Sequence, residues 1–320
     1  HNGGHRNGWR PDSMRYTNRD GSQRIAGVGE LLRWQLGLHE EKRPRTPATG
    51  VPVPFIANDG ARLRHATQDA LTWIGHASFL LQLGGGSVLV DPVLSPSLGG
   101  MVPRNGPPGL DWNALPRRID AVLVTHNHRD HMDAPTLKRL GPDPVYLVPE
   151  GLGGWFRRAG LKRLVEMQWW QTERIAGLDI TFVPAQHWSR RGIADTNTSW
   201  WGGFVVERGG IRAYHSGDTA WFDGFAGIGA RCGEIHAAML PIGAYAPRWF
   251  MREQHMDPED AAKAFAALGA ARFVAMHWGT FKLTDEDLRE PPQLLREIWQ
   301  RENRKAAQLE IPAIGQTLIF

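Results

Sequence analysis

One cysteine, Cys232, is all that 320 residues contain. An internal disulfide is excluded, and so is a thiolate-built zinc site. Long apolar runs are missing as well. No stretch approaches the roughly 18 uninterrupted apolar residues of a membrane span. Residues 261–271 come nearest, and they contain Lys263. Most of the chain also lacks net charge. The formal +4 arises wholly from residues 1–70, with 11 Lys and Arg against 7 Asp and Glu, while the other 250 residues hold 26 of each sign. A body with the overall basic bias of a nucleic-acid binder is thereby excluded, and no nucleic-acid partner is expected. The basic lead segment can touch anionic lipid or phosphate, or stand as a solvated arm. The first residue is His1, which leaves a cleaved signal open. The expected location is the cytoplasm or a membrane surface, with export left open.

What is present suits a folded α/β protein. Hydrophobic residues make up 42% and charged residues 22%, so wholesale disorder is excluded. The 37 glycines and 22 prolines favour many turns over a helix bundle. Residues 1–70 read as a lead segment with one helix over 28–38 and a Pro-rich extended run, packing on the core formed by residues 71–320. Short apolar runs predict strands over 71–75, 78–83 and 87–91, with Gly84-Gly85-Gly86 as a hairpin turn. A run apolar on both faces, 120–125, predicts a buried strand. Further strands are expected over 145–148, 179–183, 202–207, 211–215, 237–241 and 272–276. Helices are expected over 134–140, over 257–268 with Asp257 as cap and Gly269 as stop, and over 291–304. Hairpins followed by mixed strands and helices imply two sheets with outer helices.

The chemistry is announced by His126-Asn127-His128-Arg129-Asp130-His131, directly after the buried strand. His126 and His128 point to the same side of an extended segment. Three imidazoles and a carboxylate within six residues are costly to hold together unless a cation binds them. Distant partners stand where apolar runs meet loops: His187, Asp218 and His277. The seven divide into two sites. His126, His128 and His187 hold one ion; Asp130, His131 and His277 hold the other, with Asp218 as bridge. Such nitrogen and oxygen donors suit two Zn²⁺ per chain and also admit Mn²⁺ or Fe.

This ordered set resembles the metallo-β-lactamase superfamily. The resemblance implies an αββα four-layer sandwich with a dinuclear zinc site on one edge, and Asp91 as an acidic partner beside it. A closer resemblance spans most of the chain. It is carried by Trp73-Ile-Gly-His-Ala77, Pro184-Ala-Gln-His-Trp188, Gly217-Asp-Thr219, Pro241-Ile-Gly-Ala-Tyr-Ala-Pro-Arg-Trp-Phe-Met251, Gln254-His255 and His277-Trp-Gly-Thr-Phe281. These blocks are similar to the N-acylphosphatidylethanolamine-hydrolysing phospholipase D family.

That family implies a zinc-dependent phosphodiesterase cleaving a phospholipid through a metal-activated hydroxide. Asp130 then counts among the catalytic residues as well as the ligands. Gln254 and His255 join it at the active site, His255 assisting the leaving group or orienting substrate. His76 and His215 read as satisfied core histidines. Trp188, Trp221, Trp249 and Trp278 are candidates for an acyl trough or for core packing. Arg248 and Arg252 are candidates for a phosphate contact, and Arg248 equally for a structural pair with Asp or Glu. Peripheral membrane contact through the basic segment with Trp9 and Trp34 is expected, and a homodimer is left open. The alternative activity is a metal-dependent lactonase or phosphodiesterase on a small soluble anion. A nuclease and a metal-binding protein without turnover stand further off.

Overall fold

The computed structural model describes residues 15–23, 25, 27–65 and 68–320; Trp9 lies outside them. Two seven-stranded sheets form the body. The first runs, in lateral order, Thr317–Ile319, Ala70–Gly75, Ser78–Leu83, Gly86–Val90, Ala121–Leu123, Val145–Pro149 and Leu164–Met167. The second runs Leu309–Glu310, Arg272–Met276, Ala237–Pro241, Ile211–His215, Gly203–Arg208, Leu178–Val183 and Thr172–Ile175. Each half of the chain opens with antiparallel hairpins and continues into parallel strands.

Alternation along the strands explains the stacking. Leu71, Trp73, Phe79, Leu81, Val88 and Leu123 face Ile180, Phe182 and Phe204 across the sheet interface. The other faces of the same first-sheet strands carry Ile74, Leu80, Leu89 and Val122, which pack against Leu137 and Phe156 of the helices Ala134–Leu140 and Gly153–Arg158. The second sheet is covered by Gly224–Cys232, Pro258–Leu268 and Glu290–Arg301. Helix, sheet, sheet and helix make the αββα sandwich.

Local signals behave as their chemistry dictates. Gly84 and Gly85, at φ 50 and 83, make the two-residue hairpin turn. Asp257 caps its helix by accepting the Asp260 N–H at 2.8 Å, and Gly269 ends it at φ 65. The helix Gly224–Cys232 was not expected, because three glycines weaken it. Its Gly229 lets the backbone press against Leu268, where a Cβ would clash.

The lead segment is wired to the body. The Asn18 side-chain oxygen accepts from the His187 N–H at 3.0 Å and from the Trp201 indole at 3.0 Å. Trp34 donates to Asp285 at 2.9 Å, and Arg43 pairs with Glu290 at 2.6 Å. The helix expected over 28–38 is shorter, Val28–Gln35, and it buries no residue. Among the described residues no helix is long and apolar enough to cross a membrane.

Candidate metal centre

Strand ends on one edge of the sandwich deliver the chemistry. The loop after Ala121–Leu123 carries His126, His128, Asp130 and His131. Leu178–Val183 leads to His187, Ile211–His215 to Asp218, and Arg272–Met276 to His277. The turn to Asp218 depends on Gly217, at φ 62, where a Cβ would come within 2.9 Å of Thr125. His126, His128, His187 and Asp218 form one group whose ligand atoms lie within 4.8 Å of one another; His76, Asp130, His131 and His277 form another. Asp218 stands between them. Its Oδ2 is 3.1 Å from His131 Nε2 and 3.9 Å from His187 Nε2, and its Oδ1 is 3.0 Å from His277 Nε2. The structure thus gathers all seven residues proposed from sequence and adds His76.

Hydrogen bonds fix which ring nitrogens face inward. The Gln254 carbonyl can only accept, so His187 Nδ1 donates to it at 2.9 Å and leaves Nε2 bare. Thr125 gives its hydroxyl proton to Asp91 at 2.7 Å, so its oxygen accepts from His126 Nδ1 at 3.0 Å. His131 Nδ1 donates to Asp91 Oδ2 at 2.7 Å. Asp91, fully buried, also accepts the Thr125 N–H at 2.8 Å. The carboxylate therefore aims two histidines, one directly and one through Thr125.

Bare nitrogens and carboxylate oxygens then converge. His126 Nε2 and His187 Nε2 lie 2.9 and 3.2 Å from His128 Nδ1. Ligands about 2.0–2.1 Å from a tetrahedral ion stand roughly 3.3 Å apart, so the set fits one. On the other side, His131 Nε2, His277 Nε2 and Asp218 Oδ1 are buried without a hydrogen-bond partner. Burial pushes the Asp218 and Asp130 carboxyls up, but the facing imidazoles outweigh it and hold both well below the usual range. Burial lowers His277, yet Asp218 and Asp130 carry it up to about 9. His131 is likewise raised well above its ordinary value against burial, by Asp218, Asp130 and Asp91. His126 and His187 are driven well below theirs by burial and by neighbouring imidazoles. The carboxylates demand positive charge, and a metal cation meets that demand without protonating His131 and His277.

Backbone strain clusters here. His76, Asp91 and His277 adopt φ of 54, 43 and 64, each costing on the order of 1 kcal/mol or more. Two of these turns are tied together. The His76 carbonyl accepts the His277 N–H at 3.0 Å, and the His76 N–H donates to Thr280 Oγ1 at 2.7 Å. His76 Nε2 then meets Asp130 Oδ2 at 3.0 Å, and its ring lies 3.8 Å from that of His277. His76 is therefore a site residue, contrary to the core role expected for it. His215 does have that role, accepting the Gly217 N–H at 3.1 Å and donating to the Ala77 carbonyl at 2.8 Å.

Gln254 and His255 line a cavity of about 590 Å³ that opens over Asp130 and Asp218. Gln254 also acts through its carbonyl on His187. His255 Nδ1 is buried without a hydrogen bond, 3.9 Å from Asp218 Oδ2, and burial pushes its pKa down to about 4. Leu31, Trp34, Trp188, Phe250 and Leu283 supply apolar walls, while Arg129, Arg190 and Arg191 supply charge.

The geometry separates the alternatives left open for this rim. Of the four tryptophans only Trp188 lines the cavity. Trp278 packs on Trp73 in the core, Trp221 lies under Lys263 at 3.5 Å, and Trp249 sits beside His39 and Arg33. Arg248 is structural. It pairs with Asp257 at 2.9 Å and with Asp260, and donates to the His255 carbonyl at 2.7 Å.

Residues 87–278 match the Beta-lactamase superfamily domain. The chain belongs to this superfamily. A Caenorhabditis elegans relative, N-acyl-phosphatidylethanolamine-hydrolyzing phospholipase D 1, is 35% identical over 77% of this chain and 74% of its own length. A metal-dependent hydrolase of Methanopyrus kandleri is 33% identical over 71% of this chain and 90% of its own. A metallo hydrolase of Ignicoccus hospitalis shares the fold, with a TM-score of 0.58 at 22% identity over 79% of this chain and 99% of that one. The protein is accordingly a metal-dependent hydrolase, with a His and Asp cluster able to bind metal.

Proposed function

We propose that the protein is a zinc-dependent phosphodiesterase of phospholipase D type, acting on N-acyl-phosphatidylethanolamine or a similar phospholipid. The observation that carries this reading is the cavity beside Asp130 and Asp218. It joins apolar walls to three arginines, as a substrate with acyl chains and one phosphodiester requires. The worm relative's substrate supports the same class.

His126, His128, His187 and Asp218 would hold one ion, and Asp130, His131 and His277 with Asp218 the other. Bound zinc supplies Lewis acidity toward the phosphoryl oxygens and acidifies water toward neutral pH. The chain's own groups do the rest. Arg191 is clamped by the carbonyls of Asn127 at 3.2 Å and Met132 at 2.7 Å, so its charge is fixed beside the metal loop. Arg129 and Arg190 extend that charge to the rim and attract the phosphodiester anion. His255, held neutral by burial, orients the ethanolamine-side oxygen. Water adds its oxygen to phosphorus, the bond to the ethanolamine oxygen breaks, and the proton that the water gives up ends on that oxygen. The products are phosphatidic acid and N-acylethanolamine.

Docking on a lipid surface completes the reading. The helix Val28–Gln35 borders the cavity through Leu31 and Trp34, and leaves Val28 and Leu32 exposed at 75% and 50%. Ile193, 94% exposed, stands on the loop beyond Gly192 across the rim. This apolar rim, ringed by Arg33 and Arg190, suits an anionic interface.

The test is hydrolysis of N-acyl-phosphatidylethanolamine in mixed micelles by zinc-loaded protein. Phosphatidic acid and N-acylethanolamine should form, and Trp188→Ala should raise KM for long acyl chains with kcat little changed. Turnover of soluble phosphodiesters or lactones with the lipid untouched would overturn the lipid assignment and favour a small-anion hydrolase.

A further inference from the structure

A second cleft lies at the opposite edge of the sandwich from the metal centre. It opens beside Asp120 and Val145, at the entering ends of strands Ala121–Leu123 and Val145–Pro149, whereas the ligand loop follows the exit of the former. It encloses about 1000 Å³ and reaches Ile175 of the second sheet and Ala176 in the turn that follows it. A neighbouring hollow of about 430 Å³ shares Arg64, Arg117, Arg118 and Asp120 with it.

Five arginines line this cleft, Arg64, Arg117, Arg118, Arg139 and Arg163, against two aspartates, Asp120 and Asp143. Most are anchored without being neutralised. Arg64 donates to the carbonyls of Asp59 at 3.0 Å and Asn113 at 3.1 Å, and Arg163 to the carbonyl of Asp143. Arg139 lies 4.3 Å over the Trp112 ring. Among the described residues only Arg118 meets a carboxylate, Asp120 at 2.7 Å, and the other oxygen of Asp120 is taken by the Ser87 N–H at 3.0 Å. Arg117 is exposed and makes no ion pair among the described residues. Carbonyls and an aromatic face hold a guanidinium in place but leave its charge and most of its five N–H donors unspent. Several such groups around one concavity form a preorganised anion site. The even charge count of residues 71–320 hides it, because the compensating acids lie elsewhere.

We propose that this cleft binds a small ligand carrying several phosphate groups. A single inorganic ion would leave most of the space and charge unused, while about 300–1000 Å³ is the usual size of a small-molecule site. Its position on the far edge makes the ligand an effector or an anchor rather than the hydrolysed substrate, and the proposal stands whether or not the lipid reading does.

The probe is inositol hexakisphosphate, titrated calorimetrically into metal-loaded full-length protein. The hexasulfate analogue runs in parallel, since sulfate esters are poorer zinc ligands and report on the arginines. Both should bind saturably. Arg117→Glu should weaken both by at least about tenfold, with the hydrolase rate and the melting temperature unchanged. Arg163→Gln should weaken binding in the same direction. Vesicles bearing a bisphosphorylated inositol lipid separate the sources: sedimentation lost in Arg117→Glu assigns a headgroup, and soluble binding without sedimentation assigns a free ligand. Equal titration of Arg117→Glu and wild type, or no saturation below about 1 mM, would overturn the proposal. Tighter Arg117-dependent binding of single-stranded RNA than of the hexakisphosphate would overturn it too, by making the cleft a nucleic-acid surface.

Discussion

The two sheets serve the metal centre by opposite means. The first supplies His126, His128, Asp130 and His131 from one loop, aimed by Asp91 and Thr125 at the adjoining strand ends. The second supplies His187, Asp218 and His277 singly, from three strand ends. Ligands sharing a loop keep their spacing through local hydrogen bonds. Ligands on separate strands keep theirs only while the sheets stay packed. One side of the site therefore depends on six residues, and the other on the whole sandwich.

Asp218→Ala should break this arrangement most severely, because its carboxylate stands 3.9 Å from His187 in one group and 3.1 Å from His131 in the other. We expect both ions lost by elemental analysis and activity down on the order of a thousandfold. Retention of one ion would mean that Asp218 serves one side alone. His128→Ala and His277→Ala should come next, each removing a single ion from its own group, with activity down on the order of a hundredfold or more. Loss of both ions in His128→Ala would merge the two groups.

Asp91→Ala sharpens the contrast. It leaves every ligand in place but frees His131 and Thr125, so metal affinity in a chelator competition should fall roughly 10–100-fold. His76→Ala should act more weakly, at the low end of that range, through the orientation of Asp130. Unchanged affinity would limit His76 to the backbone link with His277. The mildest change tests the second sheet. Ile180→Val, fully buried on the strand that leads to His187, should cost about 0.5–1.5 kcal/mol in a thermal melt. It should also quicken metal exchange slightly. A stability loss of that size with exchange unaltered would show that His187 tolerates loosening of its strand.

The same division governs what the sequence disclosed. The loop ligands were legible because three imidazoles and a carboxylate crowded into six residues are too costly to bury without a cation. The second-sheet ligands were legible as residues at strand ends and by their order. His76 was not, since its role depends on Thr280 and His277 approaching its turn from the far end of the chain. Proximity in sequence could not separate the two readings of the tryptophans. Trp278 follows His277 but packs into the core on Trp73. Arg248 lies near His255 in sequence, yet its charge is taken by Asp257 and Asp260. The long buried strands and capped helices were legible from periodicity and end signals. The edge strands Leu164–Met167, Thr172–Ile175, Leu309–Glu310 and Thr317–Ile319 are two to four residues long, too short for a periodic pattern to register.

The placement of Thr317–Ile319 has a kinetic consequence. This strand pairs Thr317 with Thr72 and Ile319 with Ala70, beside the opening strand of the first sheet. Nearly 250 residues separate the partners, and the entire second sheet is made in between. On a ribosome, strand Ala70–Gly75 emerges with one edge unpaired and must wait for the rest of the domain before that edge is covered. Contacts so distant in sequence slow folding, because loop closure is unfavourable until the final pairing compensates it. The nascent chain thus exposes this edge while the intervening residues are made, a template for mispairing with other chains and a place for chaperones to bind.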